Sequence, residues 1–155
     1  MVERTPNFLP AWSQIHIDHF GPLNRTRRGN FRYILTVACV MSRSVRFLPV
    51  RNKGAKEAAI VFLDLCTQES FPVQLTSDRA QSFRSNLFEA LSRAIGMRLA
   101  TTVSHRPQGN SLAERPHAFL CAALTSLCNK GQTDWNELTG LISLTYRSCV
   151  HPALG

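Results

Sequence analysis

The chain has 155 residues and only four aspartates. Asp64 and Asp134 fall in helix-like stretches, where a solvated face accounts for them. Asp18 and Asp78 do not. Asp18 lies within the alternating stretch "SQIHIDHF", and Asp78 directly follows the strand-like "PVQLTS". Two carboxylates in one crevice repel each other and hold on to protons unless a cation neutralises them. Hard oxygen donors of this kind suit Mg²⁺ or Mn²⁺. A third carboxylate would complete a two-ion site able to clamp the attacking and leaving oxygens of a phosphodiester. Glu114 is the candidate third. It stands in "SHRPQGNSLAERPHAFL", where Ser111-x-x-Glu114 matches a capping box ahead of an apolar run. Helix cap and metal ligand both remain open at this position, and the two roles are compatible.

These groups meet only if the surrounding elements bring them together. "SQIHIDHF" puts Ile15 and Ile17 on one side and His16 and Asp18 on the other, the period of a strand. "FRYILTVACV" is nearly continuous, apolar and β-branched, as in a strand buried on both faces. "SVRFLPV" reads as a third strand ended by Pro49. From Lys53 to about Glu69 the period becomes helical, with Ala55, Ala58, Ala59, Phe62, Leu65 and Cys66 on one face. "PVQLTS" is a short fourth strand. "SNLFEALSRAIG" is a helix with Ser85 as N-cap and Gly96 as stop. "MRLATT" is a fifth strand. A loop rich in Pro, Gly and Asn then leads to a helix from about Ser111 to Leu127. The last helix spans Asp134 to about Arg147, with Leu138, Leu141, Ile142 and Thr145 along one face. The order βββαβαβαα predicts one α/β domain over residues 1–155, a five-stranded mixed sheet with helices on both faces. If its first and fourth strands are neighbours, Asp18 and Asp78 lie side by side.

Composition narrows the class of partner. Eighteen basic residues face ten acidic ones, for a net charge of +8. Fifteen of the eighteen are Arg, whose guanidinium fork suits phosphate better than Lys does. That balance points to a polyanion, nucleic acid first. No run approaches the roughly 20 apolar residues of a membrane span, and no signal peptide is expected at the N-terminus. The five cysteines include no CxxC pair and read as reduced, mostly buried thiols of an intracellular protein. His16 and His19 point to opposite faces of their strand. His117 and Cys121 are helical neighbours but fall two ligands short of a structural zinc site.

Four collinear blocks, "WSQIHIDHFGPL", "YILTVACVMSRSVRFLPV", "FPVQLTSDRAQSF" and "TTVSHRPQGNSLAERPHAFL", make the sequence resemble the catalytic core of retroviral and gypsy-type LTR-retrotransposon integrases. Thirty-five residues separate Asp78 from Glu114, the family's D,D-35-E spacing. The resemblance implies a ribonuclease H-like fold, with Asp18, Asp78 and Glu114 holding two Mg²⁺ or Mn²⁺ ions and Ser104–Ser111 as the active-site loop. It implies hydrolysis of DNA ends and transfer of a 3′-hydroxyl into target DNA, in the nucleus, by a homodimer. Arg106, Gln108, Asn110 and Arg115 flank Glu114 as candidate DNA contacts. The His-His-Cys-Cys zinc module and C-terminal DNA-binding domain of such enzymes are expected to be absent.

The chain departs from the family pattern at Ala80 and Ser111, where glycines are usual, at Cys39, where gypsy-type relatives commonly carry Asp, and at Pro116. With Ser111 as N-cap, Pro116 is the fifth helical residue and costs roughly 3 kcal/mol. A later helix start would relieve this. Two further readings follow. One is a domesticated, catalytically weak core kept as a nucleic-acid or protein interaction module. The other is a ribonuclease H-type nuclease drawing a carboxylate from Glu57 or Asp64, against which the D,D-35-E spacing argues.

Overall fold

A computed structural model describes residues 10–78, 83, 85–101 and 107–149, with side chains excluded along 107–114. The element order is the expected one: β1 (Gln14–Phe20), β2 (Tyr33–Cys39), β3 (Val45–Val50), α1 (Ala55–Gln68), β4 (Gln74–Ser77), α2 (Asn86–Ile95), β5 (Arg98–Thr101), α3 (Pro107–Leu127) and α4 (Trp135–Ser148). The strands form one sheet in the order β3-β2-β1-β4-β5. β1, β2 and β3 pair antiparallel as a meander, whereas β4 joins β1 in parallel and β5 joins β4 in parallel. β1 and β4 are therefore neighbours.

Two cores cover the sheet. On one face Ile15, Ile17, Leu35 and Val37 pack against Phe62 and Leu65 of α1 and Phe88 of α2. On the other, Ile34, Ala38, Val45 and Phe47 pack against Leu120 and Leu124 of α3 and Trp135, Ile142 and Tyr146 of α4. The strict alternation of β1 thus sends its isoleucines to the α1 side. α2 keeps both expected signals: Ser85 accepts the Phe88 N–H, and Gly96 closes the helix at φ 72°, a left-handed position that glycine adopts without strain.

Four expectations need correction. α3 begins at Pro107 rather than near Ser111, so Ser111 lies inside the helix and is not its N-cap. Proline is favoured at a first helical position because its missing N–H would have no partner there. The buried Pro116 is consequently the tenth helical residue, and the helix continues through it. Pro49 does not end β3 but pairs with Ile34 inside it; β3 is an edge strand, where proline is tolerated. α4 buries Thr139, Ile142, Ser143 and Tyr146 and leaves Leu141 and Leu144 more than half exposed. Only Cys39 and Cys66 of the five cysteines are buried.

Candidate active site

The carboxylates meet through strand register. Asp18 is the fifth residue of β1, opposite Thr36 on β2. On its other side β1 runs parallel to β4, with Ile17 opposite Ser77. The next position on each strand is an aspartate, so Asp18 and Asp78 stand abreast where β4 ends. Burial, and then repulsion from Asp78, pushes the Asp18 carboxyl up to about 6. Two influences work in the opposite direction. The His19 backbone N–H donates to Asp18 Oδ1 at 2.8 Å, and the positive charge of Lys53 favours the ionised form.

A buried polar layer lies between this part of the sheet and α3. Thr36, the cross-strand partner of Asp18, contacts His117 Nε2 at 3.3 Å, and the same imidazole packs against Phe20 with ring centroids 4.9 Å apart. His16 is also buried. Burial lowers the pKa of His16, against the pull of Asp78, and lowers that of His117, helped by His16. Both shifts favour the neutral form of the ring. On the opposite face His19 stacks on Phe83, 5.0 Å between centroids and 14° between planes. Phe83 in turn meets Phe88 of α2 edge-on. That stack ties Phe83 to β1. Burial, then Lys53, brings His19 down to about 4.

The candidate residues are thus placed unevenly. Asp18 and Asp78 come together as expected. Glu114 lies in α3 one turn before His117, and residues three apart share a helix face; its side chain is outside the described residues. The same holds for the side chains of Gln108 and Asn110, and Arg106 lies wholly outside them. Arg115 is exposed and near enough to Tyr146 for its charge to act on that phenol, which burial raises. Among the described residues no three His, Cys, Asp or Glu side chains form a metal-binding group. The adjacent oxygens of Asp18 and Asp78 nevertheless fit a hard divalent cation, which would remove the repulsion that raises Asp18. Glu57 is engaged by Arg51 at 3.3 Å and by the Asn52 N–H. Sequence reasoning missed Lys53 and the Thr36–His117 contact. Lys53 carries no signal in its own segment, but His16 does, as a polar residue alternating with buried isoleucines.

No family model matches the chain. It is 24% identical over 136 residues to the retrovirus-related Pol polyprotein from transposon 412 of Drosophila melanogaster, covering 87% of this chain and 11% of that protein. It is 24% identical over 138 residues to the Pro-Pol polyprotein of simian foamy virus type 1, covering 89% of this chain and 12% of that protein. The chain therefore spans about an eighth or less of these curated relatives. Among solved structures it superposes on the catalytic core domain of BIV integrase with a TM-score of 0.68 at 18% identity, covering 86% of this chain and 82% of that one. The catalytic core of HTLV-2 integrase, a dimeric form in complex with magnesium, gives a TM-score of 0.70 at 14% identity, with 88% and 87% covered. The fold is the ribonuclease H-like fold of retroviral integrase catalytic cores.

Proposed function

We propose, from an integrase-core fold whose first and fourth strands set two aspartates side by side, that this chain is the catalytic core of a DNA integrase, a metal-dependent polynucleotidyl transferase. The observation that carries the reading is the abreast placement of Asp18 and Asp78, made by the parallel β1–β4 register. Asp18, Asp78 and Glu114 would hold two Mg²⁺ or Mn²⁺ ions. Bound there, the ions would supply Lewis-acid polarisation of a scissile phosphate and a more acidic nucleophile. The chain's own residues supply alignment. The His19 N–H fixes one oxygen of Asp18, and the His19–Phe83 stack holds Phe83 against β1. Lys53 offsets part of the carboxylate charge. DNA ends and target DNA are the substrates, which places the reaction in the nucleus. Arg106, Gln108, Asn110 and Arg115 would contact DNA near the reacting end.

A homodimer is part of the same reading. Ile60 on α1 and Leu141 and Leu144 on α4 are each more than half exposed, and a second copy would cover them. Sedimentation that shows only monomer at high micromolar concentration would remove the dimer and leave the chemistry standing.

The test of the chemistry is a calorimetric Mg²⁺ and Mn²⁺ titration of wild type beside Asp78→Asn, paired with Mn²⁺-dependent cleavage of a branched DNA substrate. Binding and cleavage in wild type, both abolished in Asp78→Asn, support the enzyme. Weak activity in wild type that rises in Pro116→Phe would trace the weakness to the proline inside α3. If wild type neither binds Mn²⁺ nor cleaves, the catalytic reading fails and the non-enzymatic interaction module takes its place.

A further inference from the structure

Between Asp18 and Glu57 the chain carries nine basic residues and no acidic one. Four of them, Arg25, Arg27, Arg28 and Arg32, fall in the connection from β1 to β2 and are exposed. This connection leaves the sheet at the end where Asp78 follows β4. It begins three residues beyond Asp18, about 10 Å along the strand. Arg51 and Lys53, which follow β3, lie at the same end because Val50 pairs with Tyr33.

The backbone of this hairpin is held firmly. Leu23 N–H donates to Arg32 O at 2.6 Å and Thr26 N–H to Phe31 O at 3.1 Å. The buried Thr26 hydroxyl donates to Arg28 O and accepts the Phe31 N–H. Four bonds fasten the loop to the segment at the start of α4: Arg27 N–H to Thr133 O at 3.1 Å, Trp135 Nε1 to Asn24 O at 2.7 Å, Asn24 Nδ2 to Gly131 O at 3.1 Å and Asn136 Nδ2 to Arg28 O at 3.4 Å. Arg51 donates to Gly29 O at 2.8 Å and lies over the Phe31 ring. Among the described residues the side chains of Arg25, Arg27, Arg28 and Arg32 make no hydrogen bond within this anchoring. Among the described residues the salt bridges are Arg46–Glu69 and Arg51–Glu57, and within that set Arg25, Arg27, Arg28 and Arg32 have no carboxylate partner. Like charges crowded within a Debye length of about 8 Å repel one another. A rigid platform that holds them together is suited to a ligand that neutralises several at once. Double-stranded DNA does this, presenting about six phosphate charges per 10 Å of axis.

We propose that the β1–β2 hairpin is a phosphate-backbone clamp for duplex DNA, with Arg25, Arg27, Arg28 and Arg32 reading no sequence and fixing the duplex relative to the Asp18–Asp78 pair. Lys53, beside Asp18, links the clamp to the site. The inference rests on the DNA-processing reading above and adds to it the surface that holds the substrate.

The measurement is fluorescence anisotropy with a short labelled duplex across a salt series. Wild type is compared with Arg25→Gln/Arg27→Gln/Arg28→Gln and with Arg93→Gln/Arg98→Gln/Arg147→Gln, a control that removes the same charge from exposed positions outside the hairpin. Removing one arginine–phosphate pairing should flatten the slope of log affinity against log salt by about 0.9. The hairpin variant should lose about two to three units of slope on that scale, with affinity down at least tenfold, and the control should lose less than one unit. Equal losses in both variants, or an unchanged hairpin variant, overturn the clamp. So does hairpin-dependent binding to phosphatidylserine vesicles tighter than to DNA. Arg25→Lys/Arg27→Lys/Arg28→Lys should keep most of the slope, which separates removal of charge from a misfolded loop. Mn²⁺ titration of the hairpin variant keeps the two readings apart: retained metal binding with unchanged DNA binding sinks the clamp alone.

Discussion

The two faces of the sheet are built by opposite rules. On the α1–α2 face the strands contribute Ile15, Ile17, Leu35 and Val37, and the helices answer with Phe62, Leu65 and Phe88. Packing there is mostly apolar, with the His19 ring and Ser92 among the exceptions, so its stability comes mainly from area removed from water. The α3–α4 face buries Thr36, His16, Thr139 and Ser143 among its hydrophobic residues. Phe47 N–H donates to Ser143 Oγ at 3.0 Å, and that hydroxyl donates on to Thr139 O at 2.8 Å. One face is a foundation, and the other accepts polar groups that find partners on the sheet, Ser143 at the Phe47 N–H of β3 and His117 at Thr36 of β2.

That contrast can be broken by substitution. Phe62→Ala on the apolar face opens a cavity under α1 and should cost about 3–5 kcal/mol. Denaturant unfolding should show the loss with the metal affinity of the surviving folded protein unchanged; a loss below about 1 kcal/mol would mean that α1 relaxes into the gap. Ser143→Ala leaves a buried N–H on β3 without its acceptor and should cost about 1–3 kcal/mol. Amide exchange at Phe47 should accelerate in the same variant.

Asp18→Asn sharpens the comparison because its sign is reversed. The Asp18 pKa is raised in the folded protein to about 6 from an ordinary 3.8. Such a group imposes no penalty below about pH 4, and stability falls as pH rises through the interval up to about 6. Replacing it with a neutral amide should therefore stabilise the metal-free protein at neutral pH, by about 1–2 kcal/mol once screening of the partly exposed carboxyl is allowed for. The melting-temperature difference between variant and wild type should vanish near the ordinary carboxylate pKa of about 4. Added Mn²⁺ should raise the melting temperature of wild type more than that of the variant, closing the gap. Thr36→Val should have the smallest effect, below about 1 kcal/mol, because it removes one long contact to His117 and gains apolar burial. A larger loss in chemical unfolding would show that the polar layer is cooperative.

The fold was legible wherever one period dominated. The isoleucines of β1, the apolar run of β2 and the cap and stop of α2 each named their element, whereas the adjacency of β1 and β4 came only from the structure. The start of α3 was not legible. Gly109 and Asn110 are poor helix residues, and their local preference argued for a loop, yet the helix extends through them from Pro107. On α4 the expected face was right at Leu138 and Ile142 and wrong at Leu141. Leu141 and Leu144 are exposed while Thr139 and Ser143 are buried, since small hydroxyl residues can return a hydrogen bond to the preceding turn and present little bulk to β3. Asp18 and Asp78 were readable as a pair because carboxylates in strand settings are costly. Lys53 and the His19–Phe83 stack were not, because both depend on how distant segments meet.

The parallel pairing of β1 with β4 also sets the order in which the protein can assemble. β1, β2 and β3 are joined by short connections and can form as a meander from neighbouring sequence. Asp18 must wait for a strand 60 residues further along, across α1. Loop-closure entropy makes such long-range parallel contacts slow relative to hairpins. The carboxylate pair therefore comes into being late in folding, after much of the apolar scaffold exists, and a chain emerging from the ribosome brings the two aspartates abreast only when β4 reaches β1.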